Sequence, residues 1–177
     1  KVFAELDKVC GPATIFASNT SSICITAQAA ATKRLDRFIG LHFMNPVPIM
    51  KLVEIVRPDG TSAETYATAK AFAESLGKVT ITAKDTPGFI VNLLLVPYIC
   101  EAVSALEKGL ATKEDIDTAM ELGCGMPMGP LKLLDMVGLD TTLYIMDVLK
   151  AEYKEAKYDA PQLLRQKVAA GHMGKKA

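Results

Sequence analysis

The hydrophobic period of this 177-residue chain changes once, at Asp85-Thr86-Pro87, and that change confines it to a sheet-bearing part followed by an all-helical part. Upstream, short apolar runs alternate with helical patterns. Residues 13–18, 38–43, 51–56 and 78–83 read as strands, and 25–31 and 65–76 read as helices, the latter stopped by Gly77. The strands are apolar on both faces, so a parallel sheet covered on both sides is expected. Asn45-Pro46-Val47-Pro48 closes the second strand and Arg57-Pro58-Asp59-Gly60 is a turn.

Downstream, only helical periodicity remains. Thr86 is the expected N-cap and Pro87 the first residue of a long helix to Lys108, kinked at Pro97 and ended by Gly109. Thr112-Lys113-Glu114-Asp115 opens the next helix, which Gly123 ends. Further helices start at Gly129-Pro130, at Asp140 (with Leu143, Met146, Leu149 and Tyr153 as its apolar stripe) and at Asp159-Ala160-Pro161, the last stopped by Gly171. The expected fold class is α/β plus all-α, with domains at 1–84 and 85–177.

Composition excludes several functions. Half the residues are apolar and 23% are charged, which suits a packed core rather than a disordered chain. Twenty basic residues balance twenty acidic ones, so a phosphate-tracking nucleic-acid surface is not expected. The most apolar stretch, 89–100, is shorter than the roughly 20 residues of a membrane span. Cys10, Cys24, Cys100 and Cys124 lack the spacing of a zinc or redox motif, which predicts free thiols in a reducing, cytoplasmic compartment and no metal. The loop Gly123-Cys124-Gly125-Met126-Pro127-Met128-Gly129 reads as a helix–helix connection, with Met126, Met128 and Met136 as packing residues. No Gly-x-Ser-x-Gly elbow occurs. Lys175-Lys176 reads as a solvated tail. The opening Lys1-Val2-Phe3-Ala4-Glu5-Leu6 reads as the middle of an amphipathic helix, so the chain is expected to be a piece of a longer polypeptide.

Two ionisable residues stand in strands that ought to be dry. Glu54 interrupts Lys51-Leu52-Val53-Glu54-Ile55-Val56, and His42 lies near the end of the preceding strand. An unpaired buried carboxylate is costly, so Glu54 is expected to accept a hydrogen bond from one ring nitrogen of His42. That contact fixes the tautomer and leaves the other nitrogen to act as a general base. Each residue taken alone is better read as structural, a satisfied core histidine or an edge glutamate facing water, and it is their neighbouring strand positions that favour the pair. The other histidine, His172, sits in Gly171-His172-Met173-Gly174 and has no expected catalytic role. Asn92, in an apolar helical run, is open to two readings: a partner in helix packing, or a cleft residue holding a substrate oxygen. The polar run Ser18-Asn19-Thr20-Ser21-Ser22 follows a strand, where open α/β sheets place ligands. A helix cap is the alternative there, against contacts from Asn19 or Ser21.

At these residues the chain resembles the L-3-hydroxyacyl-CoA dehydrogenase family, and within it the bacterial short-chain 3-hydroxybutyryl-CoA dehydrogenases. The resemblance runs through Ala17-Ser18-Asn19-Thr20-Ser21-Ser22, Gly40-Leu41-His42-Phe43-Met44-Asn45-Pro46, Met50-Lys51-Leu52-Val53-Glu54, Asp85-Thr86-Pro87-Gly88-Phe89-Ile90-Val91-Asn92, Asp115-Ile116-Asp117-Thr118-Ala119-Met120 and Met128-Gly129-Pro130. It implies that His42 is the base, that Glu54 orients it, and that Ser21 and Asn92 contact substrate oxygen and cofactor. Asn19, Ser21 and Asn45 are the implied nicotinamide-side contacts. It further implies an NAD- or NADP-dependent oxidoreductase acting on an acyl-CoA substrate in fatty-acid and butanoate metabolism. Residues 1–84 then correspond to the C-terminal portion of a Rossmann-like domain, and 85–177 to a helical domain for homodimerisation and the substrate cleft. The glycine-rich nucleotide-binding half is expected to lie outside the chain, leaving weak cofactor binding and little turnover. The competing reading is a non-catalytic helical dimerisation module or a structural relative of the enzymes.

Overall fold

A computed structural model describes residues 1–175, so Lys176 of the expected tail lies outside the described residues. The chain divides into two compact units, Lys1–Ile90 and Val91–Ala177. The first contains α1 (Val2–Val9), β1 (Phe16–Ser18), α2 (Ile25–Ala29), β2 (Phe38–Phe43), β3 (Leu52–Arg57), α3 (Ala63–Ser75) and β4 (Val79–Lys84). The second contains α4 (Val91–Glu107), α5 (Lys113–Cys124), α6 (Pro130–Val137), α7 (Leu139–Tyr153) and α8 (Gln162–Ala169). Among the described residues no strand follows β4, and no helix is long and apolar enough to cross a membrane.

The strands form one sheet in the order β1-β2-β3-β4. Pairs β1–β2 and β3–β4 are parallel, but β2–β3 is antiparallel, which corrects the expectation of a wholly parallel sheet. Only residues 44–51 join β2 to β3, and a parallel crossover needs about a dozen or more residues. The short connection therefore turns the chain back on itself.

Strand alternation sorts the side chains onto two faces. Ile39, Leu41, Val53 and Ile55 meet Ala69 and Ala73 of α3 on one face. Phe16, Phe38, Val56, Ala83 and Phe89 meet Ile25 and Ala29 of α2 and Phe3 of α1 on the other. Gly40 lies on this second face, where a Cβ would sit 2.8 Å from Val56 Cβ and 2.9 Å from Ile25. The missing side chain is what lets α2 settle directly on β2.

In the second unit Val96, Ile99, Val103, Leu134, Met146 and Leu149 lie at the centre of one apolar core. Thr112 caps α5, its hydroxyl accepting from the Asp115 N–H at 3.1 Å. Gly125, two residues past the expected stop, ends that helix in a left-handed conformation. Met126 and Met136, expected as packing residues, are 39% and 47% exposed.

The long helix starts later than expected. Gly88 (φ 79°) and Phe89 (φ 48°) adopt left-handed backbone that no right-handed helix accommodates, and the Phe89 N–H donates to the Thr86 carbonyl in a turn. Thr86 and Pro87 thus belong to the link before α4.

Candidate active site

The antiparallel register sets His42 directly opposite Glu54, so both side chains project from one face of the sheet. Both are buried, Glu54 completely. His42 Nδ1 and Glu54 Oε2 lie 2.6 Å apart, forming the contact expected from the sequence. The Ile90 N–H donates to Glu54 Oε1 at 3.0 Å, so each carboxylate oxygen has a donor. An ionised carboxylate only accepts, so the proton of the pair sits on Nδ1 and the Nε2 lone pair faces the other way. Ser21 Oγ lies 3.2 Å from Nε2, placed to donate to it. The ring of Phe89, 2% exposed, packs edge-on against the imidazole with centroids 5.4 Å apart. The pair is therefore dry on its apolar side and open toward an exposed serine.

Ser21 owes its place to the loop between β1 and α2. At the start of this loop, Ser18 Oγ donates to Gln28 Oε1 at 2.7 Å, and Asn19 Oδ1 accepts the Phe43 N–H at 2.9 Å. Thr20 Oγ1 accepts from the Ile23 N–H within the loop. The carbonyl of Asn19, one of the expected cofactor contacts, thus also ties the loop to the end of β2. Asn45 is exposed just beyond β2, at a cis bond to Pro46. Because β1 and β2 are parallel, Asn19 and Asn45 share the carboxyl edge of that pair, the edge where open α/β sheets bind ligands. Asn92 is half-buried in the first turn of α4, in the second unit. His172 is exposed. No cluster of three His, Cys, Asp or Glu side chains able to hold a metal occurs among the described residues.

Sequence reasoning brought forward His42, Glu54 and Ser21 and missed two neighbours. Phe89 covers the imidazole, and the Ile90 amide completes the carboxylate. Phe89 follows a Pro-Gly pair, which signals a turn, but nothing local indicates that the turn reaches His42.

Residues 1–86 match the family described as 3-hydroxyacyl-CoA dehydrogenase, NAD binding domain, and residues 88–177 match the 3-hydroxyacyl-CoA dehydrogenase C-terminal domain. The chain is 50% identical over 177 residues to a probable 3-hydroxybutyryl-CoA dehydrogenase of Bacillus subtilis, covering 100% of this chain and 62% of that protein. It is 59% identical over 147 residues to the human mitochondrial hydroxyacyl-coenzyme A dehydrogenase, covering 83% of this chain and 47% of that one. The crystal structure of (S)-3-hydroxybutyryl-CoA dehydrogenase from Ralstonia eutropha matches with a TM-score of 0.95 at 51% identity, covering 99% of this chain and 62% of the other. The chain thus spans between 47% and 62% of the length of these relatives. The match over residues 1–86 corrects the expectation that the nucleotide-binding half and its motif lie outside the chain, because the first unit is itself matched as NAD-binding domain. The expectation of weak cofactor binding, which rested on that reading, is withdrawn with it.

Proposed function

The chain belongs to the 3-hydroxyacyl-CoA dehydrogenase family, and from that premise we propose that it carries the catalytic base of an oxidoreductase interconverting (S)-3-hydroxybutyryl-CoA and acetoacetyl-CoA. The proposal extends to 3-hydroxyacyl-CoA and 3-ketoacyl-CoA pairs more broadly, with NAD or NADP as cofactor, in cytoplasmic fatty-acid or butanoate metabolism. The helical unit is proposed to join two copies in a homodimer and to contribute Asn92 to the substrate cleft.

One observation carries this reading: a fully buried carboxylate holds a histidine by Nδ1, while Nε2 faces a hydroxyl at the exposed edge of the site. His42 Nε2 takes the proton of the 3-hydroxyl in the oxidative direction, and the resulting imidazolium is stabilised by Glu54. In reduction the imidazolium returns that proton to the forming alkoxide. Ser21 donates a hydrogen bond to the same substrate oxygen and keeps it near Nε2. The donor chemistry fits a nicotinamide, since the exposed amides of Asn19 and Asn45 suit its carboxamide. When bound, that cofactor supplies the hydride acceptor.

The test is reduction of acetoacetyl-CoA followed by loss of NADH absorbance, in the parent protein and in His42→Ala. Activity in the parent and a loss of about 10²–10⁴-fold in the variant, with an unchanged circular dichroism spectrum, supports the assignment. Near-parent turnover in His42→Ala overturns it.

A further inference from the structure

We propose that Asp85 is a positioning residue for the site: through the start of α2 it holds Ser21 against Nε2 of His42. The proposal deepens the dehydrogenase reading and rests on it for its kinetic consequence alone.

The start of α2 has no side-chain cap of its own; its N-cap residue, Cys24, accepts no such bond. The donors there are taken instead by a residue about sixty positions away. Asp85 Oδ1 accepts the Ile25 N–H at 2.6 Å, and Oδ2 accepts the Thr26 N–H at 2.6 Å and the Thr26 hydroxyl at 2.5 Å. An ionised carboxylate taking three short bonds from one turn is a strong and directional clamp. Ser21 lies just upstream and is exposed, so its own burial does not hold it. The loop is tied to the end of β2 through Asn19 and seated on β2 through Ile25 against Gly40. The bonds to Asp85 set the direction in which the loop enters α2.

Asp85 follows β4 directly and heads the segment 85–90, which touches His42, Glu54 and the first turn of the helix that follows Ser21. Asp85 grips the turn after Ser21, the Phe89 ring packs on His42, and the Ile90 amide donates to Glu54. Phe89 holds a left-handed backbone, uncommon for a large side chain, and its ring is buried against the imidazole. Strain of this kind persists where its surroundings over-determine it. One short segment therefore sets the relative placement of three side chains drawn from three different elements.

The test is the ¹⁵N resonance of the His42 imidazole in the parent, Ser21→Ala, Asp85→Ala, Asp85→Asn and Thr26→Val proteins. The chain has two histidines, so His42→Gln assigns the signals. In Asp85→Ala the Nε2 signal is expected to move toward its Ser21→Ala position while the Nδ1–H signal, bonded to Glu54, stays in place. Asp85→Asn retains acceptor capacity and shifts Nε2 less. Turnover of acetoacetyl-CoA by Asp85→Ala is expected to fall about tenfold to a hundredfold, mainly in kcat. If Asp85→Ala does not fold, Asp85→Asn and Thr26→Val report the same signal. An unmoved Nε2 signal in every folded variant overturns the proposal and leaves Asp85 as a helix cap. A moved Nε2 in a protein whose parent lacks dehydrogenase activity sustains the positioning role and rejects the substrate assignment instead.

Discussion

His42 and Glu54 are direct cross-strand partners in the antiparallel β2–β3 register, with Nδ1 and Oε2 2.6 Å apart in a site where the carboxylate has no exposure to solvent. Side chains at paired antiparallel positions share a face and start close together, so two regular strands suffice to form the contact. The site's central pair is thus held by backbone hydrogen bonding rather than by a loop.

Replacing Glu54 with Ala leaves the His42 Nδ1–H and the Ile90 N–H facing a vacated, dry space. Leaving a buried neutral donor without its acceptor costs about 1–3 kcal/mol. Urea unfolding followed by circular dichroism should show that loss, with Glu54→Gln affected less because the amide retains an acceptor. A loss under about 1 kcal/mol for Glu54→Ala contradicts the account, since that is the range of an exposed pair.

Gly40→Ala is expected to destabilise the protein by about 1–3 kcal/mol, because the new methyl meets Val56 and Ile25 below 3.0 Å and Val56 belongs to a paired strand. Ile25 must yield, and α2 moves with it. Gly123→Ala is the control: nothing lies within 4 Å of its Cβ position, in α5, and the change should be neutral or stabilising by up to about 1 kcal/mol. Equal thermal midpoints for the two variants count against the packing argument.

The Arg34 guanidinium, followed by the Lys33 N–H, holds the Asp7 carboxyl below its ordinary value of 3.8. A carboxylate depressed in the folded state adds stability above its unfolded pKa and loses it as pH falls through the folded value. The parent should therefore melt above Asp7→Asn at neutral pH, and the two melting temperatures should converge as the buffer is taken below pH ~4. A gap that persists or widens in acid rules the linkage out.

Burial pushes the Cys100 thiol up to about 12, with the nearby Glu101 charge adding to the effect, whereas Cys124 is exposed. A disulfide reagent in mildly alkaline buffer should modify Cys124 in the native protein and reach Cys100 only after unfolding. Cys124→Ser should remove one fast-reacting thiol and Cys100→Ser none. Prompt reaction at Cys100 in the folded protein shows that the helical core opens more readily than its packing implies.

Much of the element map was legible from short-range signals. Residues 38–43 carry an uninterrupted strand pattern, Thr112 is followed three residues later by the amide it caps, and Gly129-Pro130 marks the start of α6. The His42–Glu54 contact was legible for a different reason: two costly groups in neighbouring apolar strands have few ways to be satisfied other than by each other. The antiparallel direction of β3 is not legible in apolar composition, which does not encode strand direction, although the short 44–51 link does constrain it. The start of α4 is not legible locally, because capping residues at Thr86-Pro87 are compatible with a turn as well as a helix.

By itself the sequence determined where strands and helices lie and which polar groups must find partners, because periodicity and capping act over a few residues. Only the tertiary structure decided that the carboxylate of Asp85 reaches the first turn of α2, and that a strained Phe89 covers His42. Those contacts join residues some fifty to sixty positions apart, and no local pattern records which distant group the folded sheet brings within hydrogen-bonding distance.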